Sequence, residues 1–223
     1  MNDRPFIDWD WILAHLDDVV EKLEQHLMLL VIPMIAGFAI ALALAILALR
    51  RPGTVGPVTL ATGLLYTIPS LAAFAVLRPI LGLSLWTAII PLATYTLLIL
   101  YRNMVAGLRA VPPEIHEAAL GMGYTARTRF LRIELPLAVP LIMAGVRLAA
   151  VTTIGLVTVA SVIGADRFGG FGQFITEGLQ TSFNTKIYLG AVLSVLLAFA
   201  VDALLVIAER ALTPWTRVRA ARD

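Results

Sequence analysis

Residues 27–49 carry no charged side chain, and that run limits what the chain can become more than any other feature. As a helix at 1.5 Å per residue it covers about 34 Å, enough to cross a hydrocarbon core of about 30 Å. Stretches 57–77 and 79–101 are also uncharged, 135–163 carries only Arg147, and 187–208 only Asp202. Inside a bilayer every backbone N–H and C=O must find a partner within the protein, and an apolar run longer than about twenty residues does so as a helix, which pairs them within its own segment. The expected fold is all-α and polytopic, with about five transmembrane helices. Charged residues make up only 14% of the chain, against about a quarter in soluble domains.

Ahead of the first span, Phe6, Trp9, Ile12, Leu13, Leu16, Val19, Val20, Leu23 and Leu27 recur at helical spacing. This predicts an amphipathic helix over 1–26, lying in the membrane interface as a lead-in to the span. Its polar face is acidic, and no basic stretch precedes an apolar core as in a cleavable signal. Lysine and arginine placement sets orientation. Eleven of them, from Arg50 to Arg222, fall on one side of the five spans and five, among them Lys22 and Lys186, on the other. The expectation is an N-terminus outside, a cytoplasmic insert at 112–136, and a basic cytoplasmic tail at 213–223.

That insert, PPEIHEAALGMGYTARTRFLRIELP, holds six charged side chains, three prolines and two glycines amid apolar flanks. Pro112 and Pro113 suit a helix's first turn, and Glu114 and Glu117 complement the positive end of its dipole. Ile115, Ala118, Ala119 and Met122 are expected along one side. Gly121 and Gly123 end the helix, with Gly123 able to reverse the chain in the left-handed conformation. Thr125 is a candidate cap for a second piece bearing Arg127, Arg129 and Arg132. Local features alone leave open both a solvated loop helix and a short docking knob at 113–123.

A longer pattern bears on that choice. Glu117-Ala118-Ala119, three residues, Gly123, nine residues, Ile133, one residue and Leu135-Pro136 fix seven positions across twenty. This resembles the EAA signature of the permease subunits of binding-protein-dependent ABC importers. YTIPSLAAFAVLRPILG (66–82), LYRNMVAGLRAVPPEIHEAALGMG (100–123) and VIGADRFGGFGQFI (162–175) resemble the glycine betaine, carnitine and choline branch, the osmoprotectant permeases. One stretch departs from it: where the branch shows Gly-Ala-Gly-Gly-Leu-Gly, this chain has two charges and two aromatics between Gly164 and Gly172, at the expected outer mouth.

The resemblance implies a type I importer permease fold in which the knob is a coupling helix seated in an ATPase subunit, with Glu117, Ala118, Ala119, Gly123, Ile133, Leu135 and Pro136 as its coupling residues. It further implies an extracytoplasmic solute-binding protein, a second permease subunit (a copy or a paralogue) and a small-molecule solute, all in a cytoplasmic membrane.

The residues themselves exclude some chemistry. Neither lysine, Lys22 or Lys186, follows a glycine-rich turn, so no phosphate-cradling loop is present and ATP is left to a partner. There is no cysteine, and His15, His26 and His116 form no metal-ligand spacing. No catalysis, cofactor, metal or nucleic-acid partner is expected.

Arg147 and Asp202, the charges deep in the spans, must face protein or water rather than lipid, and are expected to pair. Quaternary ammonium solutes are held on aromatic faces. Tyr66 and Tyr95, inside spans, are the aromatic candidates for the pathway, with Ser70, Thr94, Thr152 and Thr153 as polar ones; Trp86 and Tyr101 read as interfacial anchors. Pro69 is expected to break the second span, freeing carbonyls towards a cavity or adding a packing kink. Rival classes are a secondary transporter, for which the chain shows no inverted repeat, and a plain membrane anchor. Within the importer reading, an amino-acid solute is the alternative.

Overall fold

Small side chains stand at every fourth position of the first apolar run, at Gly37, Ala41 and Ala45. Lipid supplies no hydrophobic force between helices, so bundles hold by close backbone approach, which small residues permit. The computed structural model describes residues 5–163 and 168–215. In chain order its helices are α1 (Trp9–Ala14), α2 (Leu16–Arg50), α3 (Val55–Thr67), α4 (Ser70–Leu81), α5 (Leu85–Arg109), α6 (Pro113–Gly121), α7 (Ala126–Arg129), α8 (Leu135–Ala160), α9 (Phe171–Thr181) and α10 (Asn184–Leu212).

The small stripe of α2 buries Ala41, Ala45 and Ala48 against Ile99, Leu100 and Met104 of α5. At Gly37 an added Cβ would lie 1.8 Å from Thr96 Oγ1 and 3.2 Å from the Ala93 carbonyl oxygen, so the helices meet backbone to backbone. On its other side α5 packs against Ala138, Ile142 and Ala149 of α8. There a Cβ on Gly107 would meet the Ala138 carbonyl oxygen at 2.9 Å. Thus α5 is the central post, and α10 leans on α8 through Leu197 and Val201, packed on Ala150 and Ile154.

Among the described residues, four helical stretches are long and apolar enough to cross a membrane: Leu16–Arg50, Leu85–Arg109, Ala126–Ala160 and Asn184–Leu212. A fifth crossing arises if α3 and α4, bent by 85°, count as one broken span.

Several expected boundaries move. The amphipathic segment is not a separate surface helix: only α1 stands apart, and α2 begins at Leu16 and continues into the first span without a break. No glycine or proline between residues 16 and 32 interrupts it. At about 52 Å, α2 exceeds a hydrocarbon core by roughly 20 Å, so its acidic turns project beyond lipid. Meanwhile α1 docks on the α9–α10 junction. The Asp8 N–H donates to Thr185 Oγ1 at 2.9 Å, Trp11 meets Phe183 edge-on at 5.3 Å, and Lys186 lies 5.3 Å from the Trp11 ring centre.

The uncharged runs 57–77 and 79–101 place a boundary at Arg78, but the turn lies instead at 82–84. Pro79 is accommodated inside α4, while Gly82, with φ +66°, terminates it through an N–H donated to the Arg78 carbonyl. A proline removes one donor, whereas a glycine in the left-handed region reverses the chain. The connection between α8 and α10 contains a helix, α9, whose Phe171, Phe174 and Gly178 are buried at helical spacing. Phe171 is buried against His26, ring centres 5.3 Å apart, and the half-buried Phe168 packs on the cluster of Leu29, Phe74 and Val157. Asp166 and Arg167 lie outside the described residues, as do residues 216–223 of the basic tail. Tyr101 is no surface anchor: it is 1% exposed, covered by the start of α3, and its hydroxyl reaches the Val55 carbonyl oxygen at 3.5 Å. Trp86 is exposed.

Candidate functional site

Pro112 caps α6 and Pro113 opens it, so the chain turns sharply off the end of α5. The helix closes as tightly. The N–H of Met122 donates to the Ala118 carbonyl, that of Gly123 to Leu120 and that of Tyr124 to Ala119, at 3.0–3.1 Å. Gly123 takes φ +79°, and Thr125 Oγ1 accepts the Thr128 N–H at 3.3 Å to start α7. A π turn over Phe130–Glu134 then leads into α8.

Ala119 is fully buried and Ile115 half-buried, forming the inner face of α6. Glu114, Glu117, Ala118, Leu120 and Met122 are exposed. The face expected from Ile115, Ala118, Ala119 and Met122 therefore splits, because neighbouring helical positions point about 100° apart. Ile133, Leu135 and Pro136 are half-buried in the stem, Leu135 against the α2–α5–α8 core. The stem is tied to the knob by a residue that sequence reasoning missed. Glu134 accepts Arg129 Nε at 2.7 Å and stands 3.1 Å from His116 Nδ1 of α6. Its signal was present: an acid between two signature positions, Ile133 and Leu135, close to three arginines.

Within the bundle, Arg147 donates Nε to Asp202 Oδ1 at 2.8 Å and an Nη to Oδ2 at 3.0 Å, a two-pronged clamp between α8 and α10. Glu209, seven residues on and so on the same face of α10, adds a contact at 3.5 Å. The pair borders a crevice of about 500 Å³ whose other walls include Leu148, Val151, Val195 and Phe199.

The break between α3 and α4 gathers Tyr66, Tyr95, Pro69 and Ser70. Ile68 takes an extended ψ of 125° because a following proline disfavours the helical region, and Pro69 lacks the N–H that would bridge the gap. The Ile68 carbonyl is not left open, since the Tyr95 hydroxyl donates to it. The Tyr66 and Tyr95 rings meet nearly edge to face, 5.7 Å apart at 75°. Tyr66 is 38% exposed, whereas Tyr95 is 6%. Ser70 is half-buried at the start of α4.

The threonine candidates are mostly spent on their own helices. Thr94 donates to Ile90, and Thr153, 1% exposed, to Ala149. Thr152 is half-buried on α8. No hydrogen bond or ring contact among the described residues joins Thr152 or Thr153 to the tyrosine pair. The described residues contain no group of three or more metal-ligating side chains.

Residues 37–217 match the family model described as "Binding-protein-dependent transport system inner membrane component". The chain is 36% identical over 197 residues to the choline transport system permease protein OpuBB of Bacillus subtilis, covering 88% of this chain and 89% of that one. It is 39% identical over 199 residues to the carnitine transport permease protein OpuCB of Listeria monocytogenes, 89% of each chain. The osmoprotectant import permease protein OsmW of Salmonella typhimurium is 35% identical over 195 residues, 85% of this chain and 89% of that one. Among solved structures, an inward-facing form of the MetNI methionine ABC transporter superposes with a TM-score of 0.77 at 23% identity, over 90% of this chain and 98% of that one.

Proposed function

Because the chain belongs to the family of inner-membrane components of binding-protein-dependent transport systems, we propose that it is the pathway-forming permease subunit of an ATP-driven importer for a quaternary ammonium osmoprotectant. Glycine betaine, carnitine and choline are the solutes in question, the class named for its curated relatives. It is a multi-pass membrane protein with the helices of a type I importer permease. The amino-acid alternative has only a fold likeness behind it, which says nothing of the solute.

One observation carries the mechanism: a nine-residue helix, α6, stands off the bundle between two spans with Glu114, Glu117, Leu120 and Met122 uncovered, yet its base is fixed. The burial of Ala119, the Glu134 clamp and the capped turn at Gly123 supply the stiffness a lever needs. The uncovered face is the part an ATPase subunit would grip, with the insert and C-terminus in the cytoplasm and the N-terminus outside. ATP closing the paired ATPases would push α6, the stem would pass the motion into α8, and two permease subunits would open their shared pathway outward to a docked, loaded binding protein. Hydrolysis would reset them and release the solute inward. Among the pathway candidates, Tyr66 is the one aromatic with an exposed ring at the broken span, where cation–π attraction could hold an ammonium group.

The test is reconstitution in liposomes with a cognate ATPase and binding protein, reading ATP hydrolysis and uptake with glycine betaine, carnitine or choline. Stimulation by one of these, abolished for uptake but not for hydrolysis by Glu117→Arg or Gly123→Pro, is the expected result. Unchanged uptake in both variants would remove the lever role. Stimulation by an amino acid alone would replace the solute class.

A further inference from the structure

Where α2 ends, a groove of about 630 Å³ opens between its last two turns and the α7–π-turn segment. The half-buried Ile46, Leu49 and Phe130 form its floor, and the exposed Leu131, Arg50 and Arg127 stand at its rim. Glu134 also borders it, but that carboxylate is matched by Arg129 at 2.7 Å. Arg50 and Arg127 enter no hydrogen bond or ion pair among the described residues, so the rim carries two unmatched cations.

Depth decides what such a groove can hold. Arg50 closes the charge-free run that starts at residue 27, which puts its guanidinium at the level where hydrocarbon gives way to headgroups. Ile46, four residues earlier, lies about 6 Å deeper, level with the acyl chains. A soluble anion would use the rim and leave the apolar floor bare. A phospholipid uses both, and the planar fork of arginine suits its phosphate. The π turn supports the same reading, since such widened turns often mark functional sites and this one leaves Leu131 49% exposed beside the groove.

We propose that this groove is a binding site for one anionic phospholipid, with Arg50 and Arg127 on its phosphate and Phe130 and Leu131 along an acyl chain. The site is distinct from the exposed face of α6 and does not depend on which solute is carried or on the lever itself.

The test uses the purified full chain in a mixture of phosphatidylglycerol and phosphatidylcholine, with retained lipid counted by native mass spectrometry. Wild type is expected to keep phosphatidylglycerol selectively. The double variant Arg50→Gln/Arg127→Gln should lower that selectivity about thirtyfold, since each arginine near an anionic surface contributes roughly fivefold. Arg50→Lys/Arg127→Lys should keep most of it, and Arg102→Gln, outside the groove, all of it. Millimolar inorganic phosphate should not displace the lipid. Equal retention of both lipids by wild type, or undiminished selectivity in the glutamine variant, would overturn the proposal and leave the rim to a protein partner. Displacement by phosphate would assign it to a small anion instead.

Discussion

At the scale of single residues, the charges in the spans and the glycines between them are governed by the same absence of water. Arg147 has two acids within reach, and geometry ranks them: both oxygens of Asp202 are engaged at 2.8 and 3.0 Å, against one contact with Glu209 at 3.5 Å. Asp202→Asn should therefore lower the melting temperature of the detergent-purified chain by more than Glu209→Gln, and Arg147→Asp/Asp202→Arg should recover part of the loss of either single reversal. Equal effects of the two acids would mean that Arg147 swings freely between them. Gly107 is constrained by backbone rather than by a side chain that could turn aside, because its Cβ would meet the Ala138 carbonyl oxygen at 2.9 Å. Gly107→Ala should cost about 1–3 kcal/mol, the usual range for overpacking. Gly155→Ala, with nothing within 4 Å of the added carbon, should leave thermal stability unchanged or raise it.

At the scale of elements, α6 is an independent object on a rigid mount. Gly121 and Gly123 both face open space, yet only Gly123 has a positive φ, +79°. An alanine there would pay no steric penalty to neighbours, but would be strained by about 1–2 kcal/mol in its own backbone. Gly123→Ala should thus lower solute uptake per ATP hydrolysed severalfold in the reconstituted transporter, whereas Gly121→Ala should not. A similar loss in both would point to the surface of the knob rather than its hinge. How legible these elements were differs in kind. The ends of α6 could be read locally, since proline starts and glycine stops are chemistry of one or two residues. The inward turn of Ala119 could not, because its neighbour Ala118 is identical in type and only their burial in the folded chain tells them apart. Likewise Pro69 announced a break, but not that the Tyr95 hydroxyl would take up the Ile68 carbonyl.

At the scale of the whole molecule, orientation rests on arginine counting, and the chain lends itself to a direct check because it contains no native cysteine. Single cysteines at Glu114 and at Asp17, both on exposed positions, should react with a membrane-impermeant maleimide from opposite sides: Asp17→Cys in intact cells, Glu114→Cys only after permeabilisation. Labelling of Glu114→Cys in intact cells would turn the molecule over and separate α6 from any cytoplasmic ATPase. The sequence by itself determined that the chain is a helical membrane protein with a polar insert and a place where the second span breaks. Those follow from the hydrocarbon thickness and the missing proline donor, properties of a segment and its solvent. Only the tertiary structure decided that α5 is the central post, that α1 folds onto the α9–α10 junction, that Tyr101 is buried and that Glu134 clamps the insert. Each of these depends on which surfaces meet, and in lipid that choice is made by close packing between helices, which hydropathy along one chain does not record.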